Sequence, residues 1–124
     1  MTEKKGGAEK EKLSFEMKDG EKGFTILSLV GELDMWSLPQ AKERVSELIG
    51  QGKVKLVLDL EKMNYIDSSG LGFFIGTLKK LKDAGGELML VNLNAYIFHI
   101  FKLIQLQHII PTYDTLEEAV KHFS

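Results

Sequence analysis

Lys53-Val54-Lys55-Leu56-Val57-Leu58-Asp59-Leu60 is followed, beyond Glu61-Lys62-Met63-Asn64-Tyr65-Ile66, by Asp67-Ser68-Ser69-Gly70-Leu71-Gly72. The first run is apolar enough on both faces to read as a buried strand. After the second, Leu71, Phe74, Ile75, Leu78 and Leu81 recur at the spacing of an amphipathic helix. That spacing predicts a central helix from about Ser69 to Ala84, stopped by Gly85-Gly86. Glu87 to Leu93 follows as another strand, with Leu88 to Val91 continuously apolar. Strand, helix and strand joined by short links make a parallel crossover unit, expected to be right-handed.

Working outward towards the N-terminus, Leu13, Phe15 and Met17 alternate with Ser14, Glu16 and Lys18, the period of a half-buried strand. Asp19 to Gly23 is turn chemistry, and Phe24 to Val30 is a second strand, apolar on both faces and so central; the pair reads as an antiparallel hairpin. Gly31 to Trp36 leaves it as a loop. Ser37 is expected to cap the next helix, with Gln40 completing a capping box and Pro39 tolerated in the first turn. Leu38, Ala41, Val45, Leu48 and Ile49 supply its apolar face, and Gly50 or Gly52 its end.

Towards the C-terminus, Asn94 is expected to cap a helix carrying Ile97, Ile100, Phe101 and Ile104. His108 to Tyr113 reads as a short last strand, with Pro111 suited to an edge. Thr115 with Glu118 forms a second capping box before Leu116, Ala119, Val120 and Phe123. The order β-β-α-β-α-β-α-β-α predicts an α/β fold: a mixed, mostly parallel sheet of four to five strands with about four helices on one or both faces. At 124 residues, a single domain over 13–124 is expected, preceded by a flexible charged tail over 1–12.

Composition narrows the function. The net charge of −2 argues against a nucleic-acid binder, which carries a basic face. There is no cysteine, hence no disulfide framework, thiolate metal site or cysteine nucleophile. No apolar run approaches the ~20 residues of a membrane span, and the charged N-terminus lacks the apolar core of a signal peptide. A soluble cytoplasmic protein is expected. His99, His108 and His122 do not have metal-ligand spacing, so neither metal nor cofactor is expected. No G-x-S-x-G elbow surrounds the serines, and no P-loop lysine follows Gly70-Leu71-Gly72. Clustering of Asp34, Asp59 and Asp67 at one sheet end would be the only acid–base candidate, and it is the weakest reading.

What is left is the 67–72 stretch at the carboxyl end of a central strand, where open α/β sheets place their sites. A helix start offers unpaired N–H groups and the positive end of its dipole to anionic oxygen. Either a serine caps the helix while the glycines allow close packing, or a serine here is a phosphate acceptor for another protein's kinase. Spacing does not choose between Ser68 and Ser69. Nearby, Met35 and Trp36 are large apolar residues on a loop: they either anchor a partner or, in the case of Trp36, staple the helix start onto Ala41 or its neighbours.

Five segments in order carry a resemblance: Gly31-Glu32-Leu33-Asp34; Val57-Leu58-Asp59-Leu60; Tyr65-Ile66-Asp67-Ser68-Ser69-Gly70-Leu71-Gly72; Gly85-Gly86-Glu87-Leu88; and Tyr113-Asp114-Thr115-Leu116-Glu117-Glu118-Ala119. With these the chain resembles the STAS domain family, and within it the bacterial anti-sigma factor antagonists, over residues 13 to 123. The resemblance implies a non-enzymatic regulator that binds a kinase-type anti-sigma factor and frees a sigma factor. It implies Ser68 as the residue phosphorylated by that serine kinase, and a serine phosphatase that reverses the step. Asp34, Met35, Trp36, Asp67, Ser68, Ser69, Gly70 and Leu71 would form the partner-binding surface. The alternatives are a phospho-switch in another signalling pathway, or a module holding nucleotide weakly at the helix start. Gln105-Leu106-Gln107 departs from the family, where many members have a glycine-containing turn.

Overall fold

The second strand sits between three others. In the computed structural model, which describes residues 12–122, β1 (Leu13–Asp19) pairs antiparallel with β2 (Thr25–Leu33). The first part of β2, Thr25 to Ser28, pairs in parallel with β3 (Lys55–Asp59). Its last part, Gly31 to Leu33, pairs in parallel with β4 (Met63–Ile66). Beyond β3 lie β5 (Glu87–Val91) and then β6 (Thr112–Tyr113), both parallel. The helices are α1 (Leu38–Gly50), α2 (Ser68–Asp83), α3 (Ala95–Leu103) and α4 (Leu116–His122).

Over the described residues the sheet therefore has six strands rather than four to five, and two expected loops are partly strand. β2 continues to Leu33, and Met63–Ile66 lies beside its end. A register shift between Gly31 and Glu32 lets one strand serve two parallel neighbours in succession. Gly31 makes the shift possible: its φ is +115°, and a Cβ there would strike the Lys12 carbonyl.

Alternation along the strands feeds two cores. Leu27, Leu29, Leu56, Leu58, Leu88 and Leu90 join the core under α1, α2 and α3. Ile26, Val57, Met89 and Val91 point the other way and are covered by Leu116 and Ala119 of α4. Both faces are thus covered, and each fully buried large side chain contributes about 1.5–3 kcal/mol. Phe74 of α2 and Phe101 of α3 are both fully buried, with ring centroids 5.7 Å apart.

Some expected boundaries move. β5 stops at Val91 because Asn92 turns left-handed (φ 58°) and its amide donates to Asp59 Oδ1 at 3.2 Å. The expected strand from His108 shrinks to Thr112–Tyr113, since Leu106–His108 forms a 3₁₀ turn. Gln105, the departure from the family pattern, stands at φ 60°, a conformation that favours glycine. Ile104 ends α3 half-exposed instead of joining its buried face. As expected, Asn94 caps α3, accepting from the Ile97 N–H at 2.9 Å. Thr115 accepts from the Glu118 N–H at 3.1 Å. Phe123 and the expected tail, except Lys12, lie outside the described residues.

Candidate functional site

The chain leaves β4 at Ile66 and enters α2 within two residues, and Asp67 makes that sharp entry possible. Its Oδ1 accepts from the N–H groups of Ser69 (2.9 Å) and Gly70 (3.2 Å), so it is the aspartate and not a serine that caps α2. Its own N–H donates to the Leu33 carbonyl at 3.3 Å. Its second oxygen, Oδ2, accepts from the Met35 N–H at 3.2 Å. One carboxylate thereby fixes two helical N–H groups and the turn after β2.

That leaves Ser68 without a structural duty. It occupies the first position of α2 and is exposed, and among the described residues its hydroxyl makes no hydrogen bond. Ser69 is half-buried. Gly70 is buried, and a Cβ on it would come within 2.6 Å of Ile66 Cγ1 and 2.9 Å of the Leu33 carbonyl oxygen. It lets the helix start press onto β2 and β4. Gly72 has no such role: a Cβ there would meet nothing within 4 Å.

The turn after β2 is built around Asp34 rather than Ser37. Asp34 Oδ1 accepts from the N–H groups of Trp36 (2.9 Å) and Ser37 (3.0 Å). Ser37 itself is already helical (φ −93°, ψ −10°) and caps nothing. Its hydroxyl instead accepts from the Asp34 N–H at 3.0 Å and donates to the Glu32 carbonyl at 2.8 Å. The Leu38 N–H bonds back to the Asp34 carbonyl at 2.9 Å, which extends the coil one turn upstream. The expected Ser37–Gln40 capping box is therefore replaced by an aspartate-headed turn.

Asp34 is only 5% exposed. The Lys12 ammonium lies 2.6 Å from its Oδ2 and 3.3 Å from Glu32 Oε1. The Lys12 hydrogen bond holds the Asp34 carboxyl below the usual carboxylate range; burial opposes this, and the Ser37 and Trp36 N–H groups reinforce it. The same contact raises the Lys12 ammonium above its ordinary value.

The eight residues expected on one surface thus divide. Asp34 and Gly70 are buried beneath it. Met35 and Trp36 stand out at 59% and 75% exposed, so Trp36 does not staple onto Ala41. Asp67, Ser69 and Leu71 are half-buried, and Ser68 is open. Two exposed tyrosines that the sequence reading did not assign border this surface. Tyr65 lines a shallow depression with Glu32, Trp36 and Asp67. The Tyr96 hydroxyl makes a long contact, 3.5 Å, to the Ile66 carbonyl. Tyr65 lay in the quoted motif, but nothing in the sequence marked Tyr96.

Among the described residues, no group of three or more His, Cys, Asp or Glu side chains is placed to hold a metal ion, and no helix is long and apolar enough to cross a membrane.

Comparison with known proteins places these features in a wider set. The model of the STAS domain family matches residues 17–119. The anti-sigma-B factor antagonist of Bacillus subtilis (strain 168) is 35% identical over 98 residues, 79% of this chain and 88% of that protein. The structure of the anti-sigma factor antagonist SpoIIAA in its unphosphorylated form superposes with a TM-score of 0.68 at 26% identity, over 89% of this chain and 97% of that one. The phosphorylated form of SpoIIAA, from Bacillus, gives 0.67 at 25% identity, over 90% and 100%.

Proposed function

The chain belongs to the STAS domain family, and from that premise we propose that it is a bacterial anti-sigma factor antagonist, switched by phosphorylation of Ser68. Unmodified, it binds a kinase-type anti-sigma factor. The partner serine kinase phosphorylates Ser68 and thereby releases the complex, and a serine phosphatase restores the binding form. The chain is substrate and ligand in this scheme, not an enzyme, and it acts in the cytoplasm with no direct contact to DNA.

The observation that carries the reading is the position of Ser68. It is an exposed hydroxyl, without a hydrogen bond among the described residues, at the joint that Asp67 makes between α2 and the Met35–Trp36 turn. A phosphoryl group adds about −1.5 to −2 charges and three acceptor oxygens. At the first position of a helix that charge sits at the positive end of the helix dipole, so the fold survives modification. Against a partner that had packed on a neutral hydroxyl, the same charge adds bulk and repulsion, and Asp67 beside it adds to the local negative field. A coupling of ~3 kcal/mol changes affinity by about 150-fold, enough to switch partners. That a relative, SpoIIAA, has been solved in unphosphorylated and phosphorylated forms supports modification without loss of fold.

The test is to incubate the protein with an anti-sigma factor kinase and MgATP and map the product by mass spectrometry. Phosphate on Ser68 is expected. Phosphate on Ser69 alone, or on neither serine, would overturn the assignment.

A further inference from the structure

Helix α2 carries two glycines that packing does not explain. A Cβ on Gly72 or Gly76 would meet nothing within 4 Å, yet each glycine weakens a helix relative to alanine. Both line a groove between α1 and α2 of about 340 Å³, floored by Val45 and Phe73. That volume lies in the range of small-molecule sites, roughly 300–1,000 Å³.

Two further observations give the groove a chemistry. Thr77 lines it at 3% exposure, and among the described residues its hydroxyl makes no hydrogen bond. Gln107 Oε1 is the one fully buried side-chain oxygen without a partner among the described residues, so the Thr77 hydroxyl is still open to a partner from the groove. Among the described residues, the charged ones lining the groove are Lys42 of α1 and Lys80 of α2, with no carboxylate, in a chain whose net charge is −2. The charge lining the groove is therefore positive and suits an anion.

We infer that this groove binds a small organic anion with a flat apolar ring. The ring lies on the backbone strip left bare by Gly72 and Gly76, against Phe73 and Val45. The carboxylate or equivalent anion meets Lys42 and Lys80, and Thr77 donates to an acceptor of the ligand. One end of the groove is lined by Ser69, next to Ser68, but the proposed contacts with the ligand do not involve Ser68.

The test is a titration of the ¹⁵N-labelled full chain with 1-naphthoate, and separately with its neutral analogue 1-naphthamide, followed by amide chemical shifts. Saturable shifts centred on Gly72, Gly76 and Thr77 are expected for naphthoate, with naphthamide at least about tenfold weaker. Gly76→Leu, at an open helical position, fills the groove and should lose naphthoate binding by about tenfold or more while remaining folded by thermal unfolding. The surface exchange Lys42→Gln with Lys80→Gln should erase the preference for naphthoate over naphthamide. Equal affinity of the wild type for the two compounds, shifts centred elsewhere or not saturating, or wild-type binding by the folded Gly76→Leu or by the lysine double variant would each overturn the proposal.

Discussion

The Asp67 carboxylate accepts a hydrogen bond from the Met35 N–H across a sequence separation of 32 residues, while its other oxygen caps α2. The two halves of the candidate surface are therefore held by one side chain. Asp67→Ala should destabilise the fold by about 1–2 kcal/mol, the usual cost of a lost cap, read as a shift in the urea midpoint. Asp67→Asn can keep the helix cap through its carbonyl oxygen, but its amide nitrogen cannot accept from Met35. It should cost less in stability than alanine, yet speed hydrogen exchange at the Met35 amide. Unchanged exchange there in Asp67→Asn would separate the turn from the cap.

The glycines of α2 should respond in opposite directions. Gly70→Ala forces a methyl against Ile66 and the Leu33 carbonyl and should destabilise by about 1–3 kcal/mol, as overpacking does. Gly76→Ala meets no atom and should stabilise by roughly 1 kcal/mol through helix propensity. Chemical denaturation of the two variants settles both signs.

The Lys12–Asp34 pair gives stability a defined pH dependence. Asp34 titrates below its ordinary 3.8 in the folded chain, so its contribution is fully present above that value and is lost as pH falls through the lower folded one. Lys12 titrates above its ordinary 10.5, so its contribution is present below that value and lost as pH rises through the higher folded one. Lys12→Gln should therefore show a shallower loss of stability in acid than the wild type. Parallel acid denaturation profiles would contradict the coupling.

Trp36 is the test of the contact layer. Three-quarters of it is exposed, so Trp36→Ala should change stability by no more than about 0.5 kcal/mol. Its loss should weaken binding to the anti-sigma factor by about 2 kcal/mol or more, the size of an interface hot spot. Equal losses of folding and binding would place Trp36 in the fold rather than at the interface.

The parts of this architecture that follow from periodicity were legible in the sequence: the hairpin, the crossover through β3, α2 and β5, and the apolar face of α4. β4 was not, because Met63-Asn64-Tyr65-Ile66 is buried only at its two ends and becomes a strand only by pairing with the end of β2. The caps were misplaced for a related reason. Ser37 fits a capping box locally, yet Asp34, three residues upstream, organises the turn instead by accepting from the N–H groups of Trp36 and Ser37. In Asp67-Ser68-Ser69, three residues can cap, and propensity does not rank them. The link from Asp67 to Met35, and the Lys12 contact that steadies Asp34, are long-range, and no local pattern announces them.

The central claim is that one phosphoryl group on Ser68 releases the partner. It is tested most directly by calorimetric titration of the anti-sigma factor with the unmodified protein and with protein phosphorylated stoichiometrically at Ser68. The account predicts binding weakened about 100-fold or more in the phosphorylated form, with circular dichroism spectra unchanged. Equal affinity of the two folded forms would contradict it.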